Sequence, residues 1–296
     1  VNASVPLAEQ GLVRIGGEFQ GFRLDDWWPP SGAGMWPYEF LNINDGERDR
    51  YAAYGEWEFE SGRWSSIVGV RYEWVATDAG PVHGYNLDTF PTSGTGGMGN
   101  QTRDAALFNS QSRDRSDGNW DVSWIARFTL ADNQAYEFGL AQKTRSPNLY
   151  ERYTWSSWQM AAFMNNVVGD GNGYFGDVHL QPEVARTVSF TADWHAADDE
   201  RWSVVVTPYY TRVHDYIDAV QWSSTSNVPR TVPVVDNFTV LRHANQSATL
   251  YGVDFSATGR LTSSDRFGAF SAGLVGSHAR GKNKDEVPVN ELRAEC

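Results

Sequence analysis

The sequence predicts an all-β protein, an antiparallel up-and-down β-barrel whose strands cross a membrane. Apolar and polar residues alternate with a period of two, and short turns alternate along the chain with long loops. Aromatic content is the third observation, because 13 Trp, 13 Tyr and 15 Phe make up 14% of the 296 residues. Tyrosine and tryptophan favour positions with one apolar and one wet end, which include membrane interfaces.

Nine segments carry the alternation. In the second of them, Tyr51, Trp57 and Phe59 share one face, while Arg50 and Glu56 lie on the other. Many of the nine are about 9–14 residues long, which suits a tilted strand that crosses a bilayer. In chain order the segments lie at about 11–24, 48–60, 63–77, 119–131, 134–145, 185–197, 201–214, 248–260 and 265–279.

The connections between the segments alternate in length. Tight turns rich in Asp, Asn, Gly and Ser join the second segment to the third, the fourth to the fifth, the sixth to the seventh, and the eighth to the ninth. The long loops lie at about 25–47, 78–118, 146–184 and 215–247. Antiparallel neighbours then place the short turns at one end and the long loops at the other, as in an outer-membrane barrel. Soluble antiparallel sheets alternate too, so a soluble β-sandwich, barrel or propeller is the competing interpretation.

Charge and cysteine content exclude some classes of protein. The chain has 24 Lys and Arg against 37 Asp and Glu, a formal net charge of -13, which argues against binding to nucleic acid. The single cysteine, Cys296, rules out an intrachain disulfide. No apolar run reaches the 18 or so residues of a transmembrane helix.

Three motifs resemble a known family. They are KTRSPNLYERY at 143–153, LQPE at 180–183 and ATLYGVDFSATGRL at 248–261, and they resemble barrel segments of the TonB-dependent outer-membrane receptors. In that family the first motif closes a strand and the second opens the next, although Gln181 stands where Lys is usual. Arg145 and Glu183, one from each motif, could pair near the barrel rim, where an exposed ion pair contributes little to stability.

The resemblance implies a function and a setting. It implies a receptor of the bacterial outer membrane that takes up a metal or metal chelate without any enzymatic step. Copper is favoured over an iron-siderophore complex, and no cofactor is expected beyond the transported metal. The implied partners are the TonB complex, which acts through a plug domain, outer-membrane lipid, and the metal or siderophore ligand.

Barrels of the family have about 22 strands around a plugged lumen, more than the nine predicted here. Residues 1–284 are therefore interpreted as a partial barrel of a longer receptor, and residues 285–296 as an atypical tail. The plug domain is expected to be absent from this sequence. Polar residues of the predicted strands are expected to line the lumen and contact the plug: Arg50, Glu56, Arg71, Glu73, Arg127 and Asp193.

The long loop after the first motif carries the candidate ligand-binding residues. Residues 150–177, together with 23–32, resemble the copper receptors of the family. Met160 and Met164 are four apart, so a short helix would place both sulfurs on one face, and thioether sulfur suits Cu(I). His179 is a third candidate, and Trp155 and Trp158 complete the predicted set. The alternative is that the methionines pack the loop against the barrel mouth.

Other features of the same loop admit further interpretations. Residues 171–176 match G-x-G-x-x-G, but no βαβ unit surrounds them, so a dinucleotide site is not predicted. Asp170, Asn172 and Asp177 are possible oxygen ligands for calcium, without the pattern of an EF-hand.

The rival function for the whole chain is a soluble aromatic-rich β-protein that binds or hydrolyses carbohydrate. A hydrolase of this kind would need paired carboxylates.

Overall fold

The computed structural model describes residues 2–7, 11–30, 38–85, 99–196, 201–264 and 268–283. Twelve strands form one sheet, in which ten follow each other as antiparallel neighbours and two short strands join at the side. The strands are β1 (Asn2–Leu7), β2 (Gly11–Trp28), β3 (Phe40–Ser61), β4 (Trp64–Asp78), β5 (Arg115–Ala131), β6 (Gln134–Arg145), β7 (Gly173–Phe175), β8 (Glu183–His195), β9 (Trp202–Ser223), β10 (Val228–Pro229), β11 (Val240–Ser264) and β12 (Gly268–Asn283). The helices are α1 (Gly99–Asn109), α2 (Leu149–Tyr153) and α3 (Gln159–Met164).

The sheet is an open segment of an up-and-down barrel. Its order is β1-β2-β3-β4-β5-β6-β8-β9-β11-β12, and within the described residues β1 and β12 do not pair with each other. The predicted incomplete barrel is therefore confirmed. The predicted tail at 285–296 lies outside the described residues. No helix in the described part of the chain is long and apolar enough to cross a membrane.

All nine predicted segments are strands, but several are longer than predicted at the end that carries the long loops. β3 begins at Phe40 rather than at 48, β9 ends at Ser223 rather than at 214, and β11 begins at Val240 rather than at 248. In these extensions Phe40, Ala219 and Trp222 are buried against other parts of the protein. A strand that contacts folded loops has no lipid face, so its sequence lacks the regular alternation.

The outward face of the sheet carries aromatic residues at two levels. Near the short turns, the rings of Trp64 and Phe128 lie 4.7 Å apart. Near the long loops, the Tyr72 and Trp120 rings lie 4.8 Å apart, and Tyr51 lies 5.7 Å from Trp74. Exposed aliphatic residues lie between the two levels: Val70, Val122, Leu140 and Val188. Two aromatic girdles around an apolar band are the outer surface of a membrane barrel.

The inward face is polar and its charges are paired. Arg50 and Arg71 both donate to Glu73, at 2.5 and 2.7 Å. Arg14 bonds to Glu56 at 2.5 Å, and Arg127 bonds to Asp193 at 3.0 Å. All six residues predicted for the lumen therefore take part in ion pairs, of which some join neighbouring strands, one lies within β4, and one reaches from β5 past β6 to β8. Their contact with a plug domain stays a prediction.

The buried core lies at the mouth of the barrel, beneath the long loops. Phe40, Tyr153 and Ala161 are fully buried there, and Ile43 and Tyr85 are nearly so. The cluster combines the outer ends of β2 and β3 with loop residues from 79–85, 105–108 and 149–178. The apolar core of this chain therefore fixes the long loops in place.

Candidate functional site

The motif at 143–153 reverses the chain at the outer end of β6. Asn148 and Glu151 form a capping box, in which the Asn148 side chain accepts from the Glu151 amide at 2.9 Å and Glu151 accepts from the Asn148 amide at 2.8 Å. The Arg145 guanidinium joins Glu151, at 2.9 Å, to Glu183, at 2.8 Å. The predicted pair of Arg145 with Glu183 is confirmed, and it holds the two ends of the loop together.

The residues after the cap anchor the loop inside the mouth. Arg152, whose side chain is 1% exposed, donates from Nη2 to the Asp117 carboxylate at 3.1 Å and to the Leu180 carbonyl at 2.9 Å. Its Nη1 donates to the Thr77 hydroxyl at 2.9 Å. Arg152 thereby fixes both ends of the loop to β4 and β5.

Tyr153 continues this network. Its hydroxyl lies 2.7 Å from the Arg113 carbonyl and 2.8 Å from the Thr77 oxygen. Because a carbonyl only accepts, Tyr153 donates to Arg113 and receives the Thr77 proton. Burial raises the pKa of Tyr153 to about 12, so the phenol remains a donor at neutral pH.

The two predicted tryptophans pack at the mouth. Trp155 is 4% exposed, stacks on Phe40 with ring centroids 4.9 Å apart, and donates from its indole nitrogen to the Leu41 carbonyl at 2.8 Å. Trp158 is partly buried and meets Tyr85 edge-on at 6.0 Å. Both side chains are used by the core, and their contact with a ligand stays a prediction.

The predicted short helix around the methionines is confirmed as α3. Met160 packs against the core cluster, whereas Met164 is 51% exposed. The two side chains therefore lie in different surroundings: Met160 is partly buried, and Met164 is half-exposed. His179 is exposed, and its Nδ1 lies 2.9 Å from Nη2 of Arg115. A guanidinium can only donate, so Nδ1 of His179 accepts this hydrogen bond, and its lone pair is used by Arg115.

The glycine-rich segment 169–177 owes its composition to close packing at two glycines and to left-handed backbone at two others, Gly169 (φ 84°) and Gly171 (φ 80°). An added Cβ at Gly173 would lie 2.8 Å from the Ala162 side chain, and one at Gly176 would lie 2.6 Å from the Glu151 carbonyl oxygen. These glycines let β7 lie against α2 and α3, while β7 pairs in parallel with β11. The match to G-x-G-x-x-G thus reflects backbone proximity within the loop.

The oxygen atoms considered for calcium are engaged by other groups. The Asp170 carboxylate accepts from the Tyr174 hydroxyl at 2.7 Å and from the Asn172 amide side chain at 2.8 Å. Burial would raise the pKa of Asp170, but these hydrogen bonds outweigh it and lower the pKa. Asp177 pairs with Arg242 at 3.0 Å. Within the described residues no group of three or more His, Cys, Asp or Glu side chains could hold a metal ion.

A buried carboxylate that the sequence did not single out joins three long loops. Asp104 of α1 accepts from the Ser157 amide at 2.8 Å and from the Ser157 hydroxyl at 2.6 Å. Arg103 pairs with Asp104 at 2.7 Å and also donates to the Ser224 carbonyl at 2.8 Å. Burial raises the pKa of Asp104, although the contacts with Ser157 and Arg103 oppose the rise.

These loops enclose a cavity of about 170 Å³, which is the candidate ligand site. Its polar lining includes Asp104, Arg152 and Arg242, and its aromatic lining includes Trp155 and Trp222. The guanidinium of Arg242 lies 4.8 Å from the centre of the Trp222 ring. Of the five predicted residues, the described structure brings only Trp155 to this cavity. Met160, Met164 and His179 lie elsewhere in the loop, and Trp158 packs behind it.

Comparison with known proteins decides the family. A family model described as the TonB dependent receptor-like β-barrel matches residues 3–291. The chain belongs to the TonB-dependent receptors. Barrels of this family lie in the outer membrane of Gram-negative bacteria, so the predicted location is confirmed. TonB-dependent receptors are transport proteins and not enzymes, so the alternative of a soluble carbohydrate-binding or carbohydrate-hydrolysing protein is wrong.

Solved TonB-dependent receptor structures share the fold. The copper transporter OprC superposes with a TM-score of 0.59 at 17% identity, covering 95% of this chain and 37% of that chain. The FrpB iron transporter from Neisseria meningitidis gives 0.58 at 13%, covering 95% and 34%. The alcaligin outer membrane receptor FauA from Bordetella pertussis gives 0.53 at 13%, covering 98% and 39%. A search of curated protein sequences finds no match.

The chain therefore spans 34 to 39% of the length of these three receptors. Identities this low support the shared fold and leave the ligand undecided. The first relative is named for copper and the second for iron, so their names do not choose between the two metals.

Proposed function

We propose that this chain forms part of a TonB-dependent receptor that takes up a metal or metal chelate through the mouth described above. Family membership carries the proposal, because the matched barrel accounts for nearly the whole chain. The mouth supports it, since three long loops are held by buried contacts around a cavity. Uptake would use the TonB complex, acting through a plug domain inside the charged lumen.

Copper is the first candidate for the metal. Met164 supports it, because its thioether is 51% exposed on a helix at the mouth and soft sulfur ligands select Cu(I). Met160 faces the core and would need a rearrangement of α3 to join it. The sulfur of Met164 would then act at the entrance, ahead of the cavity.

An iron-siderophore complex is the second candidate, and the chemistry of the residues that line the cavity favours it, although a complex of that size needs the loops to separate. Arg242 and Asp104 supply charge, and Trp155 and Trp222 supply aromatic surface. Side chains of these types bind an organic chelate better than they bind a bare soft cation.

Calorimetry on the protein expressed in full separates the candidates. Cu(I), and in a second series a ferric siderophore, would be titrated into the wild type and into Met164→Leu, which removes the sulfur while nearly conserving volume. For copper, we expect binding that Met164→Leu weakens and that Arg242→Gln leaves unchanged. The opposite response is expected for the chelate. Absence of binding in both series would contradict metal uptake.

A further inference from the structure

The short strand β7 fastens the long loop between β6 and β8 to the edge of β11. It pairs with β11 over three residues, in the register that places Phe175 opposite Arg242. One hydrogen bond extends this ladder, from the Gly173 amide to the Thr239 carbonyl at 3.0 Å. Arg242 also forms an ion pair with Asp177 at 3.0 Å. So few contacts hold the strand that the loss of one of them shifts the balance toward its release.

The ladder closes one side of the cavity. Phe175 of β7 and the adjacent Gly176 line the cavity together with Trp222 of β9 and Arg242 of β11. Phe175 is 6% exposed, and its ring lies 5.9 Å from the Trp222 ring. Detachment of β7 from β11 would separate these two rings, because Phe175 leaves with its strand. The cavity would then be open on this side.

A histidine that the cavity does not use lies beside this ladder. His243 directly follows the last residue of β11 that pairs with β7, and its ring lies 5.6 Å from the ring of Tyr174. Tyr174 belongs to β7, is 8% exposed, and donates from its hydroxyl to Asp170 at 2.7 Å. Its ring is therefore held against His243 while β7 is attached, and release of β7 removes that cover.

The attached strand leaves no acceptor for a proton on Nδ1 of His243. This nitrogen has less than 1 Å² of accessible surface and, among the described residues, no hydrogen-bond partner. The two carboxylates that face the ring are engaged elsewhere. Glu151 accepts from Arg145 at 2.9 Å, and Asp218 accepts from the Asn283 side chain at 2.8 Å. A buried N–H without an acceptor is costly, and a buried cation costs more.

The charged groups around the ring only partly offset this cost. Glu151 of α2 and Asp218 of β9 favour a protonated ring, whereas Arg145 of β6 disfavours it. Burial outweighs the carboxylates and lowers the pKa of His243 below the ordinary value of 6.5. Tyr174 of β7 stays neutral in this range, because burial raises its pKa. A ring uncovered by the release of β7 regains the ordinary pKa, so the released state binds more protons below about pH 6.5.

We propose that protonation of His243 detaches β7 from β11, so that acidification opens the cavity. The neutral ring packs against Tyr174 and keeps the strand attached, whereas the protonated ring is stable only where water reaches it. This response to pH needs no ligand, and its role in uptake rests on the function proposed above. Asp104 acts in the opposite direction, because burial raises its pKa and protons therefore favour its folded junction.

Hydrogen exchange of the amides in 170–178 tests the proposal, measured by mass spectrometry on the protein expressed in full and purified in detergent. Protection is calculated against the intrinsic exchange rate at each pH. Between about pH 7.5 and about pH 5.5, wild-type protection should fall by about tenfold, the response to one proton that binds only the released state with a pKa of about 6.5. His243→Gln has no titrating ring, so its protection should change by less than about twofold.

The matched control is His179→Gln, which removes an exposed histidine of the same loop and should retain the wild-type fall in protection. His243→Phe keeps a ring that carries no charge and serves as the second variant, while heat-modifiable migration on gels confirms that each variant is folded. Equal pH dependence in wild type and a folded His243 variant would overturn the proposal. So would wild-type protection that changes by less than about twofold over this range. Absence of metal or chelate binding at every pH would contradict the proposed function alone.

Discussion

Replacing Arg152 with Met should release the long loop 146–182 from the barrel mouth. The substitution keeps an unbranched apolar stem and removes the guanidinium that donates to Asp117, Thr77 and the Leu180 carbonyl. The side chains of Arg152 and Asp117 are 1% and 9% exposed, so water does not replace the lost contacts while the loop stays in place.

The expected magnitude follows from this burial. Removing one partner of a buried ion pair costs about 3–5 kcal/mol, because the other charge is left without compensation. At about 1.4 kcal/mol per factor of ten, the anchored loop would become about 100-fold to 4000-fold less favoured relative to the released loop. The half-exposed Arg145 should matter less, and Arg145→Met is expected to cost about 1 kcal/mol or less.

Hydrogen exchange of the amides in 149–180 measures this release directly. Protection should fall in Arg152→Met and remain close to wild type in Arg145→Met. The double variant Arg152→Met, Asp117→Asn should recover much of the lost protection, because it no longer buries an unpaired charge. Losses that simply add in the double variant, or equal effects of the two arginines, would refute the reasoning.

Three further substitutions test other contacts of the fold. Burial raises the pKa of Asp104, so between the ordinary pKa and the raised one the folded loop junction binds more protons than the released junction does. Its stability should therefore fall as pH rises above the ordinary pKa of about 3.9, and Asp104→Asn should remove this slope in thermal melts. Glu73→Gln leaves two lumen arginines without their shared carboxylate, and it should lower the free energy of unfolding in urea by about 1–3 kcal/mol. Gly176→Ala would place a Cβ 2.6 Å from the Glu151 carbonyl oxygen, so it should cost about 1–3 kcal/mol and increase proteolysis of the loop.

The strands could be predicted from the sequence wherever lipid imposes a pattern. Along the lipid-facing parts of β4 and β9 the outward residues are mostly apolar and the inward ones mostly polar, so the sequence shows a period of two. The pattern ends where strands rise above the lipid. Phe40 and Trp222 lie in such extensions and face folded loops, and no periodicity indicated that these residues continue a strand. β1 is short, with six residues, and was also missed.

The loop could be located from its motif, but the use of its side chains could not. Asn148 and Glu151 have the spacing of a capping box, so α2 was open to prediction from the sequence. Whether Trp155 faces a ligand or a core depends on Phe40, more than one hundred positions earlier in the chain. The contact of Asp104 with Ser157 likewise joins two loops that carry no shared pattern.

The size of the cavity bears on which ligand can enter it. Drug-sized ligands occupy about 300–1,000 Å³, so a siderophore complex exceeds the cavity of about 170 Å³ while a single hydrated ion fits. Uptake of a chelate therefore requires the loops to separate, and the contacts of Arg103 with Ser224 and Thr225 must break. A bismaleimide cross-link between Arg103→Cys and Thr225→Cys, which spans the space that the long Arg103 side chain fills, should abolish uptake of a ferric siderophore and spare uptake of a bare ion. Uptake of radiolabelled chelate that is equal in the cross-linked and the untreated double variant would show that the ligand enters without passing between these loops.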